Sequence, residues 1–476
     1  MLSNPEILRY SRHLLLPQVG IEGQIALKNA HILIIGAGGL GCSAILYLSA
    51  AGIGKLTIVD DDKISIENLH RQILYTQNDV GYFKSDFAKK MAISRNPQIY
   101  CQNLTERLTY ENALNILNLN FNDNNLVSHT HLTSDFSLII DATDNVETRY
   151  LINDLALFLN IPWIYGSAIG FEGHMSTFNY HSSDKDKSLC YKCLFPVPPP
   201  LFTISNCNEI GVFGALPGII GMFQALEAQK ILIPTLSPSY NGKLLIFDSL
   251  SNTGCFKEIQ LRNKNHECSS CNQKMDKTRF IESGHMYNEL IVKNCSIESN
   301  NSNKNHISVY DFVQFLRVHS NTCYSVIDVR EKHELKICKL SNYNTNSILT
   351  LSNPLKVRNN DCINLCYDSN LNFSNIPFSA ITRSTYSRND NEDLISDDMI
   401  ANIRNNVCTI EPNHPYKIFV LCRRGNDSIR ACQILRSKLE RINLTDKNEK
   451  NSFAVYNIIG GLHAWSSDID PEFPVY

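Results

Sequence analysis

The chain has little excess charge of either sign. Its 44 Lys and Arg stand against 47 Asp and Glu, net −3, so no global positive field exists to bind nucleic acid non-specifically, and a direct nucleic-acid partner is not expected. Cysteine, at 16 in 476 residues, is too sparse for a disulfide scaffold. The opening Met1-Leu2-Ser3-Asn4-Pro5-Glu6 lacks the basic-then-apolar run of a secretory leader, so the thiols are expected in a reducing, cytoplasmic compartment. Long hydrophobic runs are missing too. The longest uncharged apolar stretch, Ile210 to Leu226, holds Pro217 and four glycines and is shorter than a bilayer span, so it reads as a buried helix after a turn, with no membrane partner.

What is present is globular: 43% hydrophobic and 19% charged residues, enough apolar material for real cores. At about 150 residues per domain the length predicts three domains or two large ones. His31-Ile32-Leu33-Ile34-Ile35, Leu56-Thr57-Ile58-Val59 and Ser137-Leu138-Ile139-Ile140 are short apolar runs separated by helical patterns, the last two ending in Asp60 and Asp141. This rhythm predicts an α/β fold with a mostly parallel sheet and polar groups at its carboxyl edge. Periodicity fades over 272–304, read as a linker, so a first domain is expected over 1–271 and a second over 305–476. The second opens with the capping pattern Ser308-Val309-Tyr310-Asp311, continues in strands at Tyr324 to Asp328, Lys417 to Leu421 and Phe453 to Ile458, and carries an Asn/Ser-rich insertion over about 341–406.

Gly36-x-Gly38-x-x-Gly41, after a strand and before a helix, lets backbone approach phosphate oxygens and aims helix amides at them. Asp60 is placed to accept from ribose hydroxyls. Alone, this loop equally fits a dinucleotide-dependent dehydrogenase. Its neighbours favour phosphate chemistry: Asn68, Arg71 and Lys84 follow closely, and Asp141-Ala142-Thr143-Asp144-Asn145 closes the third strand. Cations beside carboxylates suit ATP with Mg²⁺, Arg71 and Lys84 neutralising the leaving pyrophosphate and Asp144 holding the metal.

Arg9-Tyr10-Ser11-Arg12-His13, the glycine loop with Gly38 and Gly39, Asp60 to Asp62, Asn68-Leu69-His70-Arg71-Gln72, Gly81 to Lys84 and Asp141 to Asn145 together resemble the MoeB/ThiF and E1-like activating enzymes from about residue 5 to 271. The resemblance implies a Rossmann-like adenylating domain that activates the C-terminal glycine of a ubiquitin-like protein. Asn68, Arg71, Lys84 and Asn145 would contact ATP within one subunit, Asp144 would coordinate Mg²⁺, and Arg12 would reach the phosphates of the other subunit in a homodimer.

Cys190-x-x-Cys193 and Cys268-x-x-Cys271 are two knuckles. Four thiolates indicate one structural Zn²⁺ per subunit, while the long gap between the pairs also allows two separate redox pairs; the family resemblance brings them together. Cys207, in Ser205-Asn206-Cys207-Asn208-Glu209, is either a small buried hydrophobe or a thiol activated by helix amides. The matching cysteine of the family acts in acyl or sulfur transfer.

Phe419-Val420-Leu421 leads into Cys422-Arg423-Arg424-Gly425-Asn426-Asp427-Ser428 and a helix, a cradle for an anionic sulfur. Phosphate-ester hydrolysis through a thiophosphate would need an Arg where Ser428 stands. With Val326 to Arg330 upstream and Ile459-Gly460-Gly461-Leu462-His463-Ala464-Trp465 downstream, the loop resembles a rhodanese sulfurtransferase. An activating domain and a rhodanese on one chain resemble the sulfurylases of ubiquitin-like sulfur carriers. The implied partners are a Urm1-like carrier, the small molybdopterin-synthase subunit or both, and a cysteine desulfurase that loads Cys422. The implied product is a carrier thiocarboxylate for tRNA wobble-uridine thiolation or molybdenum cofactor. Two other readings stay open: an E1 that conjugates its modifier through a Cys207 thioester, and a non-catalytic adaptor.

Overall fold

Ile32 and Ile34 belong to one apolar core while Leu33 and Ile35 belong to another. Successive side chains of a strand point to opposite faces, so a run apolar at every position marks a strand buried on both sides. The computed structural model describes residues 1–117, 135–180, 189–199, 211–252, 254–287, 305–318, 324–338, 371–379, 381, 416–445, 453–471 and 473–474. The chain divides into two units, Met1–Cys295 and Ser296–Tyr476.

In the first unit, β1 (His31–Ile35), β2 (Lys55–Val59), β3 (Tyr100–Leu104), β4 (Leu138–Asp141), β5 (Trp163–Ile169), β6 (Glu172–Phe178), β7 (Lys243–Asp248) and β8 (Phe256–Gln260) form one sheet in the order β3-β2-β1-β4-β5-β6-β7-β8. Pairing is parallel from β3 through β5 and antiparallel from β5 to β8. The helices α1 (Gly39–Ala51), α2 (Lys84–Arg95), α3 (Val146–Leu159) and α4 (Ala215–Leu232) are the long ones that accompany it. The apolar run read as a helix after a turn is thus α4, beginning at Ala215. Strand order reverses at β1, which pairs β2 on one side and β4 on the other. Open α/β sheets bind ligands at the carboxyl ends of strands beside such a reversal.

The second unit has a five-stranded, wholly parallel sheet of β9 (His306–Ile307), β10 (Tyr324–Asp328), β11 (Leu371–Asn375), β12 (Tyr416–Leu421) and β13 (Phe453–Ile458), ordered β11-β10-β12-β13-β9. Helices α5 (Val309–Val318), α6 (Asn426–Thr445) and α7 (Gly461–Asp468) accompany it. Ser308 caps α5: its hydroxyl oxygen accepts from the Asp311 N–H at 3.0 Å. No helix among the described residues is long and apolar enough to cross a membrane.

Two boundaries differ from the composition-based reading. Residues 277–287, inside the expected linker, form a helix whose Phe280 is fully buried against Tyr110 and Phe158. The expected insertion contains β11, which pairs β10 along five residues. Asn375 secures it by donating from Nδ2 to the carbonyls of Asp328 and Arg330 at 2.9 and 2.8 Å. Residues 341–370, 380 and 382–406, and the Asn-rich tract Asn120 to Asn125, lie outside the described residues.

Candidate active sites

The turn after β1 is tight because its glycines have no room for side chains. Gly36 has φ +97° and a Cβ on it would come within 2.5 Å of the Ala142 carbonyl oxygen; a Cβ on Gly41 would overlap the Gly36 carbonyl. The backbone can therefore turn directly into α1 at the carboxyl edge of the sheet. There a cavity of about 440 Å³ opens, lined by Gly38, Gly39, Asp60, Asn68, Arg71, Lys84, Asp144 and Asn145. These eight expected residues, brought from five segments of sequence, share one pocket.

Each is held by its element. Asp60, just past β2, accepts from the Ala37 N–H at 2.7 Å through Oδ2 and from the Asp62 N–H at 2.9 Å through Oδ1. Burial pushes its carboxyl up to about 6, against the pull of Lys84. Lys84 opens α2, is 4% exposed, and places Nζ 2.7 Å from Asp62 Oδ2. Asn68 donates to Ser65 Oγ at 2.7 Å, while its Oδ1 and the Oε1 of Gln72 are buried without a hydrogen-bond partner among the described residues. Asn145 caps α3, accepting from the Thr148 N–H at 2.8 Å, and Asp144 beside it is exposed.

Other residues of the pocket were not picked out from sequence: Gln72, Glu106, Arg107 and Arg149 also line it. Arg149 is buried on α3 with Nε 3.5 Å from Asp141 Oδ2 and its guanidinium 5.1 Å from the centre of the Tyr165 ring. Burial raises the Asp141 carboxyl to about 6, opposed by Arg149. The signal for Arg149 was its place one helical turn past the Asn145 cap, which puts it beside the strand end. Arg12, in the short helix Ser11–Leu14, is exposed and does not line the pocket of its own chain.

Cys190, Cys193, Cys268 and Cys271 converge, their Sγ atoms all within 4.8 Å of one another. The neighbouring pairs measure 3.8, 3.6 and 3.5 Å. Zinc–sulfur bonds of about 2.3 Å in a tetrahedron put sulfurs about 3.8 Å apart, so these four residues fit a Zn²⁺ ion. No sequence gap had required the two pairs to meet; the fold does it. Cys207 lies outside the described residues.

In the second unit Cys422 directly follows β12 and is 2% exposed. Its Sγ accepts from the Gly425 N–H at 3.0 Å and lies 3.4 Å from Ser428 Oγ. Burial nevertheless pushes the free thiol up, with the bonds from Ser428 and Gly425 acting against it. From below, the Leu462 and His463 amides donate at 3.0 Å each to the carbonyls of Cys422 and Arg423. At the end of β10, Asp328 and Arg330 form a buried pair, Nη2 to Oδ2 2.7 Å.

The profile of the ThiF family matches residues 10–270. Two curated relatives align along the whole chain. The adenylyltransferase and sulfurtransferase MOCS3 of Aedes aegypti is 32% identical, over 100% of this chain and 90% of that protein. The protein of the same name from Xenopus laevis is 33% identical, over 100% and 89%. Among solved structures, E. coli MccB with MccA-N7isoASN is 20% identical at a TM-score of 0.45, covering 57% of this chain and 76% of that one.

Proposed function

The chain belongs to the ThiF family and is a bifunctional enzyme, an adenylyltransferase and sulfurtransferase, and from that premise we propose that it converts the C-terminal glycine of a ubiquitin-like sulfur carrier into a thiocarboxylate. The observation that carries this reading is the single cavity that gathers eight phosphate- and ribose-suited residues at the sheet reversal.

In the first step the glycine carboxylate attacks the α-phosphorus of ATP and pyrophosphate leaves, giving an acyl adenylate. Arg71 and Lys84 lower the cost of charge on the departing pyrophosphate, Asp60 takes the ribose, Asn145 contacts the nucleotide, and Asp144 would hold the metal. Mg²⁺ bound at Asp144 would shield the phosphates from the incoming carboxylate. In the second step the outer sulfur of a Cys422 persulfide attacks the acyl carbon, adenylate leaves, and an acyl disulfide forms. Cys207 either first displaces adenylate to hold the acyl group as a thioester, which the persulfide then attacks to free Cys207 and form the acyl disulfide, or acts only afterwards; in both cases its thiolate then attacks the acyl disulfide, forming a Cys207–Cys422 disulfide and releasing the thiocarboxylate. The second unit is read as a rhodanese. Its sulfur would come from a cysteine desulfurase, and the carrier would be Urm1-like, serving tRNA wobble-uridine thiolation, or the small molybdopterin-synthase subunit, serving molybdenum cofactor. The compartment proposed is the cytoplasm.

A homodimer is part of this reading. Leu8, Leu15, Leu16 and Ile21, exposed at 79, 71, 51 and 61%, flank Arg12 in sequence, and a second copy covering them would carry Arg12 to the neighbouring phosphates. Zn²⁺ at the four cysteines is proposed as structural.

Two variants test the scheme. With carrier, ATP and a sulfur donor, Cys422→Ala is expected to release pyrophosphate at the normal rate yet give no thiocarboxylate by mass spectrometry, while Asp144→Ala loses both. Thiocarboxylate from Cys422→Ala would refute the sulfur path. A Cys207-linked carrier handed to another protein without sulfur would favour conjugation, and absence of carrier-dependent pyrophosphate exchange would favour an adaptor.

A further inference from the structure

We propose that Asp154 is a positioning residue for nucleotide binding: it ties the Glu106–Leu108 wall of the cavity to the four-cysteine knuckle, so that the metal site sets the geometry of a pocket it does not touch. The inference rests on the reading of that cavity as an ATP site.

Asp154 lies in the third turn of α3 and is fully buried. Its carboxylate gathers three donors. Lys192 Nζ lies 2.7 Å from Oδ2, the Tyr110 hydroxyl donates to the same oxygen at 2.9 Å, and Asn153 Nδ2 donates to Oδ1 at 3.1 Å. Lys192 stands between Cys190 and Cys193. Tyr110 stands two residues past Leu108, in the segment whose Glu106, Arg107 and Leu108 line the cavity.

Adjacent bonds reinforce the link. Asn153 Oδ1 accepts from the Tyr191 N–H at 2.7 Å, so two neighbouring residues of α3 hold both the backbone and a side chain of the knuckle. Lys192 also donates to Ser283 Oγ at 3.1 Å, in the helix over 277–287 that follows Cys271. On that helix Gly284 packs so closely on Tyr110 that a Cβ would come within 2.6 Å of it. The other end of α3 supplies Val146, Thr148 and Arg149 to the cavity.

A buried carboxylate satisfied by three donors in a low-dielectric interior is rigid, and a wall bonded to it inherits its position. Four thiolates hold together only while a cation offsets their charge. Losing the ion frees the Cys190–Cys193 turn, Lys192 moves with it, and Asp154, the acceptor of Tyr110, loses the cation that fixes it.

The test measures ATP affinity by calorimetry and zinc content by metal analysis on the full chain and its Tyr110→Phe, Lys192→Met and doubly substituted forms. Tyr110→Phe keeps the ring between Phe280 and Gly284 and deletes one hydrogen bond. Each single variant is expected to keep one zinc and to bind ATP about fivefold more weakly, the size of a typical coupling through packed networks. The double variant should bind no more weakly than the worse single, because both act through Asp154. Chelating the zinc should weaken ATP in the unaltered chain and do so less in Tyr110→Phe. If Tyr110→Phe matches the unaltered chain in ATP affinity, or if the two substitutions multiply, the positioning role is overturned while the ATP site stands. If the unaltered chain binds no ATP, both fall.

Discussion

In the proposed adenylation step Asp60 accepts from ribose hydroxyls, which it does best as a carboxylate, and it ionises late. Water is largely excluded around it, Asp62 adds like charge, and Lys84 with the Ala37 amide only partly compensates, leaving it at about 6. Below that value the carboxyl is protonated, presents a donor where ribose also presents donors, and weakens its hold on the Ala37 amide. The competent fraction at pH 5 is then about one tenth, so the apparent Kd for ATP is expected to rise about tenfold between pH 7 and 5. In Asp60→Asn, which cannot titrate, ATP binding should be weak at every pH, and that share of the slope should vanish. Measuring both proteins in the same buffers removes the contribution of ATP's own phosphate ionisation. Equal slopes in the two would mean that another group carries the pH dependence.

Among elements, the turn from β13 into α7 is tightly constrained. Gly460 and Gly461 have φ +72° and +56°, and a Cβ on Gly461 would overlap the carbonyl oxygen of Cys422. That carbonyl accepts from the Leu462 amide, so the start of α7 holds the sulfur loop from behind. Gly461→Ala therefore meets a left-handed backbone and a backbone collision together, and should destabilise the second unit by about 2 kcal/mol or more. Thermal unfolding should show the loss, sulfur transfer from Cys422 should fall, and carrier-dependent pyrophosphate release should not change. An unshifted melting curve with normal transfer would mean the turn does not hold the loop. The glycine pair was visible in the sequence, but its reason was not, since the partner carbonyl lies 39 positions earlier. Strands such as β1 and β12 were readable because burial on both faces demands unbroken apolar runs. β11, Leu371-Asn372-Phe373-Ser374-Asn375, escaped because an edge strand tolerates polar residues, and the helix over 277–287 escaped because a few anchors such as Phe280 bury it within a polar stretch.

For the whole molecule, the same contrast separates the cavity from its support. Eight of the residues lining the cavity come in short local motifs, and those motifs could be read along the chain. Asp154, Lys192 and Tyr110 are scattered and individually ordinary, and only the fold makes them one group. The two units keep separate apolar cores, with Ile34, Ile58 and Ile140 in one and Ile327, Ile418 and Leu435 in the other. Each core therefore has what independent folding needs. A cut between the units, within 288–304, is expected to leave an amino-terminal fragment that releases pyrophosphate with carrier but forms no thiocarboxylate. On one chain the covalent link fixes the effective concentration of Cys422, at about the millimolar level for joined modules. Adding the carboxyl-terminal fragment in trans should restore thiocarboxylate at a rate that rises with its concentration, while the uncut chain's rate per enzyme should not depend on dilution as long as the homodimer holds. Failure of the amino-terminal fragment to release pyrophosphate, with its thermal unfolding intact, would mean that adenylation itself requires the second unit.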